Sequence, residues 1–121
     1  MLSCFPKLKV QNSMSEINWS ENEKQAAKEV FERAYKREIN SLMEEVKQKT
    51  SEITEIDQVW RLHDFLSARR HEIDGKYDFD YSNLIFVFAR LLNEKWLSIE
   101  ELQGLEREKL VKITALARMS G

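Results

Sequence analysis

The chain has 121 residues, enough for one domain, or for one domain with an extended element. A third of the residues are charged but the formal net charge is only −2, which argues against a nucleic-acid binder, since that class needs a basic stripe. One cysteine excludes an internal disulfide and fits a reducing compartment. No apolar stretch is long enough to span a bilayer, and a single proline with three glycines favours long helices.

The first thirteen residues show no helical period and no apolar face. Lys7 and Lys9 follow the short apolar start instead of preceding it, which is not typical of a signal peptide. We expect residues 1–16 to be a disordered extension and residues 17–119 to form a single all-helical domain. The first thirteen residues, with Cys4, are expected to be dispensable.

A long first helix is predicted to begin after a capping box, in which Ser20 precedes Glu23 by three residues. Apolar residues then recur at three- and four-residue spacing from Ala27 to Ile53, with no Gly or Pro between them. A helix of about thirty residues is roughly 45 Å long, which exceeds the diameter of so small a domain. Part of its apolar stripe therefore lacks cover in its own chain, and a second copy is the simplest cover.

The second helix carries an unusual polar face. Thr54 and Asp57 before it, and Gly75 after it, are typical of a helix start and a helix stop. At about 100° per residue the apolar side chains share one side, namely Val59, Leu62, Phe65, Leu66 and Ile73. An opposite arc of roughly 120° holds Trp60, His63, Asp64, Ser67, Arg70 and His71. Because Trp and Arg often anchor protein–protein interfaces, this arc is the leading candidate site.

The second half of the chain predicts a compact group of helices. Asp78 or Asp80 is expected to cap a third helix, and the apolar run from Leu84, continued to Trp96, favours a buried helix over a strand. By this pattern Phe86 is a core residue.

Ser98 and Glu101 form a second capping box, and Gly104 separates a short helix from a last one, on which Lys112 is a surface charge. The predicted fold is all-α, with an extended two-helix stalk over residues 20–75 and a small helical head over residues 79–119. The expected assembly is a homodimer through the stalk.

His63, Asp64 and Ser67 raise the question of catalysis. Neighbouring helix positions do not face each other, so the spacing does not predict an oriented His–Asp pair, and no oxyanion loop accompanies the serine. His71 lies two turns beyond His63, and the residues between them do not complete a standard zinc spacing. A small metal-dependent enzyme that uses His63, His71 and Asp64 is one alternative.

Asp64 and Arg70 have two interpretations that spacing alone leaves open. Most charged helix residues are solvated. In the other interpretation they pair with a second copy or with a partner protein, supported by the packing of Trp60.

The sequence also resembles a known family. The segments that carry the resemblance are INWSENEKQAAKEVFERAYKREI, WRLHDFLSARRHEIDGKYD, LIFVFARLL and KITALARM, in this order. They resemble the cyanobacterial fluorescence recovery protein family from Ile17 to Met119. The resemblance implies a non-enzymatic regulator of photoprotection that needs no cofactor. It binds the light-activated red form of the orange carotenoid protein, chiefly through that protein's C-terminal domain. It speeds the return to the orange form and helps to detach that protein from the phycobilisome.

The resemblance also implies roles for particular residues. The expected partner-binding residues are Trp60, His63, Asp64, Arg70, Phe86 and Lys112. The family also uses Trp60 and Asp64 for dimerisation. The expected dimer interface comprises these two residues and, from the apolar sides of the two helices, Met43, Ile53 and Val59. The implied location is cytoplasmic, with at most peripheral association on the cytoplasmic side of the thylakoid membrane. A helical regulator of the same fold that acts on a different protein partner is the second alternative.

Overall fold

The structure is a computed structural model that describes residues 18–120, so the expected N-terminal extension, residues 1–16 with Cys4, lies outside the described residues. Within this range every regular element is helical, in agreement with the all-α prediction. The elements are α1 (Glu21–Ser51), α2 (Ile56–Lys76), α3 (Leu84–Asn93), a 3-10 helix (Ile99–Leu102) and α4 (Arg107–Ser120). No helix among these is both long and apolar enough to cross a bilayer.

Helix α1 begins where the capping box predicts. The Ser20 hydroxyl accepts a hydrogen bond from the backbone N–H of Glu23 at 3.1 Å, and the Glu23 carboxylate accepts one from the backbone N–H of Ser20 at 3.2 Å. This exchange satisfies backbone donors that have no partner within the helix. The helix runs for 31 residues, which is about 46 Å.

The start of α2 differs from the prediction. Its N-cap is Glu55, not Thr54, and the closing side chain is Gln58, not Asp57. The Gln58 side-chain oxygen accepts hydrogen bonds from the backbone N–H groups of Thr54 and Glu55 at 2.8 and 2.9 Å. The Gln58 side chain is longer than that of Asp57, and it reaches back to both of these backbone donors at once. This explains why the cap lies one residue later than predicted.

The end of α2 also differs, because Gly75 lies inside the helix and not after it. No glycine in the described residues adopts a positive φ, so Gly75 lacks the left-handed backbone with which a glycine ends a helix. The helix continues to Lys76, whose ammonium group bonds to the carboxylates of Glu38 on α1 and of Glu94 just after α3.

The cap of α3 is Asn83, and the two predicted caps serve the preceding turn instead. Asp80 accepts hydrogen bonds from the backbone N–H and the hydroxyl of Ser82 at 3.0 and 2.8 Å. Asp78 accepts one from the Asn83 side-chain amide at 3.1 Å.

Helix α3 stops at Asn93, before the predicted continuation to Trp96, because Lys95 adopts a left-handed backbone with φ of 68°. The backbone N–H of Trp96 donates to the carbonyl of Leu91, and that of Lys95 donates to the carbonyl of Leu92, at 2.9 and 3.1 Å. These two hydrogen bonds form a Schellman motif, which normally uses glycine at the left-handed position.

We therefore expect Lys95→Gly to stabilise the protein. A non-glycine residue in the left-handed region costs about 1 kcal/mol, and glycine adopts this region without the steric clash of a Cβ. Denaturant unfolding should show a free energy of unfolding higher by about 0.5–1 kcal/mol. A decrease would mean that the Lys95 side chain itself contributes more than the backbone conformation costs.

The hydrophobic core lies where α3, the 3-10 helix and α4 pack against the first half of α1. Its fully buried large side chains are Phe88, Leu84, Leu91, Leu102 and Ile113. Ala27, Val30 and Ala34 of α1 belong to the same cluster. The head therefore includes the first half of α1, and Ile73 and Tyr77 join it at the end of α2.

The distal stalk, residues 39–72, is built differently. None of these residues is buried in the single chain. Several large apolar side chains there are exposed, namely Met43, Ile56, Val59 and Trp60. Several exposed large apolar side chains in one region are typical of an interface with another molecule.

Gly104 follows the 3-10 helix at a point where the chain passes close to α1. A Cβ at this position would lie 2.7 Å from the Cβ of Ala26, well inside van der Waals contact. We expect Gly104→Ala to lower the free energy of unfolding by about 1–3 kcal/mol, measured by denaturant unfolding. In Gly75→Ala the added Cβ meets no atom within 4 Å, so this control should be neutral or slightly stabilising. Equal stability of the two variants would contradict the close approach.

Candidate functional site

The polar arc of α2 is exposed along its whole length, as predicted. On the opposite side Leu62, Phe65 and Leu66 are half-buried and Ile73 is buried, whereas Val59 is 36% exposed. We call Trp60, His63, Asp64 and Arg70 the stalk surface.

Trp60 is the most unusual member of the stalk surface. Its relative exposure is 61%, although a buried indole contributes more contact area than almost any other side chain. The side chain lies on the distal stalk, where no apolar core is available to cover it. An indole in this position is well suited to anchor a second protein surface.

His63 and Asp64 lie closer together than the sequence suggested. The His63 Nδ1 lies 3.3 Å from the Asp64 Oδ1, although the two residues are neighbours on the helix. Both side chains are largely exposed, and Ser67 makes no described hydrogen bond to either of them. The pair can present one donor and one acceptor to a partner, but it has no buried, oriented nucleophile beside it.

Arg70 is held only loosely in the single chain. Its Nε lies 3.7 Å from the Asp74 carboxylate one turn on, and the Arg70 side chain is 85% exposed. Such a surface ion pair is weak, so the planar guanidinium remains available for a carboxylate or an aromatic ring of another molecule.

Phe86 is not a core residue, contrary to the pattern-based prediction. Six of the ten residues of α3 are buried, but Phe86 is 60% exposed. The reason is geometric: Phe86 lies on the side of α3 that is next to α4 but outside the core. Together with Leu116 and Met119 it lines a groove of about 440 Å³ between α3 and α4.

Lys112 is exposed on α4, as predicted. It lines a different cavity of about 560 Å³, together with Trp19 and Lys109. The structure thus places Phe86 and Lys112, which we call the head surface, on two depressions of the head and apart from the stalk surface.

Sequence reasoning missed a buried ionic cluster between the head and the distal stalk. Lys76 is 4% exposed, and its Nζ lies 2.7 Å from Glu38 Oε1 and 2.6 Å from Glu94 Oε1. The Tyr77 hydroxyl donates to Glu38 at 2.8 Å. Glu38 lies four residues after the buried Ala34, so a charge on the apolar stripe was the signal that could have revealed the cluster.

The cluster shifts the pKa of Tyr77 and of Glu94. Burial, together with the hydrogen bond to Glu38, raises the pKa of the Tyr77 hydroxyl. Burial opposes ionisation of Glu94, but hydrogen bonds from Lys76 and Arg90 outweigh it and lower the pKa of this carboxyl.

A second buried pair fastens the start of α1 to α4. Lys109 donates to Glu23 at 3.0 Å and to the backbone carbonyl of Asn18 at 2.6 Å, and both charged residues are buried. Burial alone would raise the pKa of the Glu23 carboxyl. Hydrogen bonds from the Glu106 backbone and from Lys109 outweigh this effect, so the pKa lies below its usual value.

Arg37 and Glu101 form a bidentate pair between α1 and the 3-10 helix, at 2.8 and 2.6 Å. The hydrogen bond from Arg37 is the main reason that the pKa of Glu101 falls to about 2. A depressed pKa means that the pair stabilises the fold fully above the ordinary carboxyl pKa, and that this stabilisation is lost as pH falls from about 4.5 to about 2.

We expect Glu101→Gln to lower the free energy of unfolding at pH 7 by about 1–2 kcal/mol, because the charge-assisted bonds become neutral ones. The difference in free energy of unfolding between this variant and the native protein should shrink as pH falls below about 4.5. At such pH the Glu101 carboxyl protonates in the unfolded chain, whereas in the folded chain it stays ionised down to about pH 2. Denaturant unfolding across this pH range checks both points. A difference that is independent of pH would contradict the role of the ionised carboxylate.

Within residues 18–120, no three His, Cys, Asp or Glu side chains converge in a way that could hold a metal ion. His63 and His71 both lie on the exposed arc of α2, without a third ligand gathered around them.

Comparison with known proteins reveals close relatives. The sequence model of the family described as photoprotection regulator fluorescence recovery protein matches residues 19–117. A curated relative, the fluorescence recovery protein of Synechocystis sp. PCC 6803, is 52% identical over 105 residues, which cover 87% of this chain and 96% of the relative.

Solved structures agree with the sequence comparison. The fluorescence recovery protein of Fremyella diplosiphon is 52% identical, with a TM-score of 0.82 over 84% of this chain and 100% of that one. The Synechocystis sp. PCC 6803 structure is 53% identical, with a TM-score of 0.81 over 84% of this chain and 99% of that one. The family match, these identities and the shared helical fold together show that the chain belongs to the fluorescence recovery protein family of photoprotection regulators.

Proposed function

We propose that the protein is a non-enzymatic regulator that binds the light-activated orange carotenoid protein and accelerates its reversion to the inactive orange form. It thereby helps to detach that protein from the phycobilisome and restores antenna fluorescence. Family membership supports the general role in photoprotection. The observation that carries the proposal is the exposed stalk surface, where the indole of Trp60 lies beside the polar pair of His63 and Asp64.

Binding alone is sufficient for this mechanism. A protein that only held the active form tightly would trap it, so an accelerator must hold its partner better along the route between the two forms. A hundredfold acceleration needs about 2.7 kcal/mol of such preference. One or two well-packed contacts supply this amount. The side chains of Trp60 and Arg70 are exposed and therefore available for such contacts.

The working assembly that we propose is a homodimer through the distal stalk. Its support is the absence of any buried residue from 39 to 72 in the single chain, which leaves this stretch without a core. The proposed interface residues are Met43 on α1, Ile53 in the connection, and Val59, Trp60 and Asp64 on α2. A second copy related by two-fold symmetry would cover the same surface on both chains.

The proposal implies a cytoplasmic protein with at most peripheral membrane contact, no cofactor and no nucleic-acid partner. Phe86 and Lys112 would contact the same carotenoid protein at the head surface, since both are exposed there. The C-terminal domain of the carotenoid protein is the expected binding region.

The test is the dark reversion of photoactivated orange carotenoid protein, followed by absorbance, with and without this chain. We expect the native protein to accelerate reversion, and Trp60→Ala to reduce the acceleration at least tenfold because its main apolar anchor is lost. Trp96→Ala, at a half-buried position in the head, controls for a general loss of stability. No acceleration by the native protein would contradict the proposal and favour a regulator of a different partner.

A further inference from the structure

The exposed large apolar side chains of the described residues lie in two regions. Four of them are on the distal stalk, and the other three are Phe86, Val111 and Met119 on the head. Val111 and Met119 belong to the side of α4 that faces away from the core. The exposed apolar area near Phe86 therefore extends beyond the head surface as defined by Phe86 and Lys112.

The outward side of α4 is also basic. Its exposed residues recur at helical spacing, and we call six of them the α4 surface: Arg107, Glu108, Val111, Lys112, Arg118 and Met119. Three cations against one carboxylate give this surface a charge of +2, whereas the whole chain carries −2. Among residues 18–120, no ion pair involves any of these four charged groups.

The helix itself explains only part of this charge pattern. The N-terminus of a helix carries a partial positive charge and its C-terminus a partial negative charge. Glu108 in the first turn and Arg118 in the last turn are therefore placed favourably for α4. Arg107 also lies in the first turn, where a cation is unfavourable, and Lys112 lies in the middle, where the dipole has little effect. A partner of opposite charge accounts for these two cations, whereas the helix does not.

Charge and apolar area together describe the complementary surface. Unpaired cations attract and orient an acidic surface over several ångströms, and exposed apolar side chains bind at short range. Val111 is next to Lys112 on the exposed side of α4, and Met119 is next to Arg118, so both kinds of contact form together. Met119 also lines the groove that contains Phe86, which joins the α4 surface to the head surface.

A protein fits this surface better than a membrane or a nucleic acid. A helix that binds in a membrane interface inserts a whole apolar side. The apolar side of α4 packs in the head instead, where Ile113 and Ala117 are buried, so only Val111 and Met119 remain for insertion. Three cations are also few for a nucleic acid, whose binders contact about six to ten phosphates.

We propose that the α4 surface is a second contact with the orange carotenoid protein, and that it recognises an acidic region of that protein with apolar side chains beside the carboxylates. This inference rests on the proposed function. It adds Arg107, Val111, Arg118 and Met119 to the partner-binding residues. The cations speed the encounter and orient the partner, and the two apolar side chains slow its dissociation.

The test is the dark reversion of photoactivated orange carotenoid protein with a limiting amount of this chain, at about 0.01 M and about 0.1 M salt. The Debye length falls from about 30 Å to about 10 Å between these concentrations, so surface charges act more weakly at the higher one. The test variant is Arg107→Gln with Arg118→Gln. Both side chains are exposed, so circular dichroism should show unchanged helices.

We expect the test variant to accelerate reversion about fivefold less than the native protein at the lower salt concentration, because steering by charge is reduced. The difference should shrink at the higher concentration. A test variant that accelerates reversion as well as the native protein at both concentrations would overturn the proposal.

The matched control is Lys28→Gln with Lys36→Gln. It removes the same charge from the exposed side of α1, in a stretch without an exposed large apolar side chain. The control should behave like the native protein. Equal losses in the two double variants would show an effect of net charge alone and would overturn the α4 surface as a contact.

The apolar half has its own variant, Val111→Ser with Met119→Ser. We expect it to reduce the acceleration by a similar factor at both salt concentrations, because apolar contacts are not screened by ions. An unchanged acceleration would overturn the apolar part of the contact.

Flotation with vesicles of equal parts phosphatidylglycerol and phosphatidylcholine tests the membrane alternative. The native chain should not float. Flotation of the native chain that the test variant loses would assign the α4 surface to lipid and would overturn the proposal.

The reversion assay also separates this proposal from the proposed function. If the native protein does not accelerate reversion at either salt concentration, the proposed function fails and this contact fails with it. If the native protein accelerates reversion and the test variant does so equally well, only this contact fails.

Discussion

Val59→Glu is expected to convert the proposed homodimer to a monomer. Val59 precedes Trp60 on the distal stalk and is 36% exposed in the single chain. In a two-fold symmetric dimer each substitution occurs twice, so two carboxylates would enter an apolar interface. An unpaired buried charge costs several kcal/mol, and a loss of about 4 kcal/mol weakens dimerisation about a thousandfold.

The measurement is sedimentation velocity at micromolar concentration, with circular dichroism to check that the helices remain. The matched control is Val111→Glu, because Val111 is 58% exposed on α4, away from the distal stalk. The control should remain dimeric. A Val59→Glu variant that still sediments as a dimer would show that the interface is elsewhere.

Arg70→Lys is expected to slow partner reversion while leaving the helices and the dimer intact. Lysine keeps the charge but cannot form the planar two-bond contact with a carboxylate or stack on an aromatic ring. The loss should be about 1–3 kcal/mol of binding along the route to the orange form, or about 5- to 150-fold in rate.

The choice of control depends on the structure. Arg69, the neighbouring arginine, contacts Glu38 and Glu45 of α1, so its substitution would disturb the fold. Arg61 is the better match, because it is exposed on α2 and paired with Asp57 four residues away, much as Arg70 pairs with Asp74. Equal reversion rates for Arg70→Lys, Arg61→Lys and the native protein would remove Arg70 from the partner-binding residues.

Local signals predicted much of this fold. Ser20 with Glu23 marked the start of α1, because a capping box involves residues only three positions apart. The exposed arc of α2 was also predictable, since apolar side chains at helical spacing leave the other residues on the solvent side. Family membership followed from the same residues, read in order.

The ends of α2 and α3 were predicted less well. Gly75 and Lys95 show why: glycine usually ends a helix and lysine usually continues one, but here Gly75 is helical and Lys95 takes the left-handed conformation. Propensity is a weak signal when the packing of the adjoining segments decides the backbone geometry.

The sequence by itself therefore determined the helices, the apolar stripes and the family, because each depends on residues within a few positions of one another or on direct similarity. Only the tertiary structure decided that Phe86 faces solvent and that Lys76 lies between Glu38 and Glu94. Lys76 and Glu38 are 38 residues apart, and Lys76 and Glu94 are 18 apart. The burial of a charge, and the direction in which an apolar side chain points, depend on which distant helix lies opposite, and no local period contains that information.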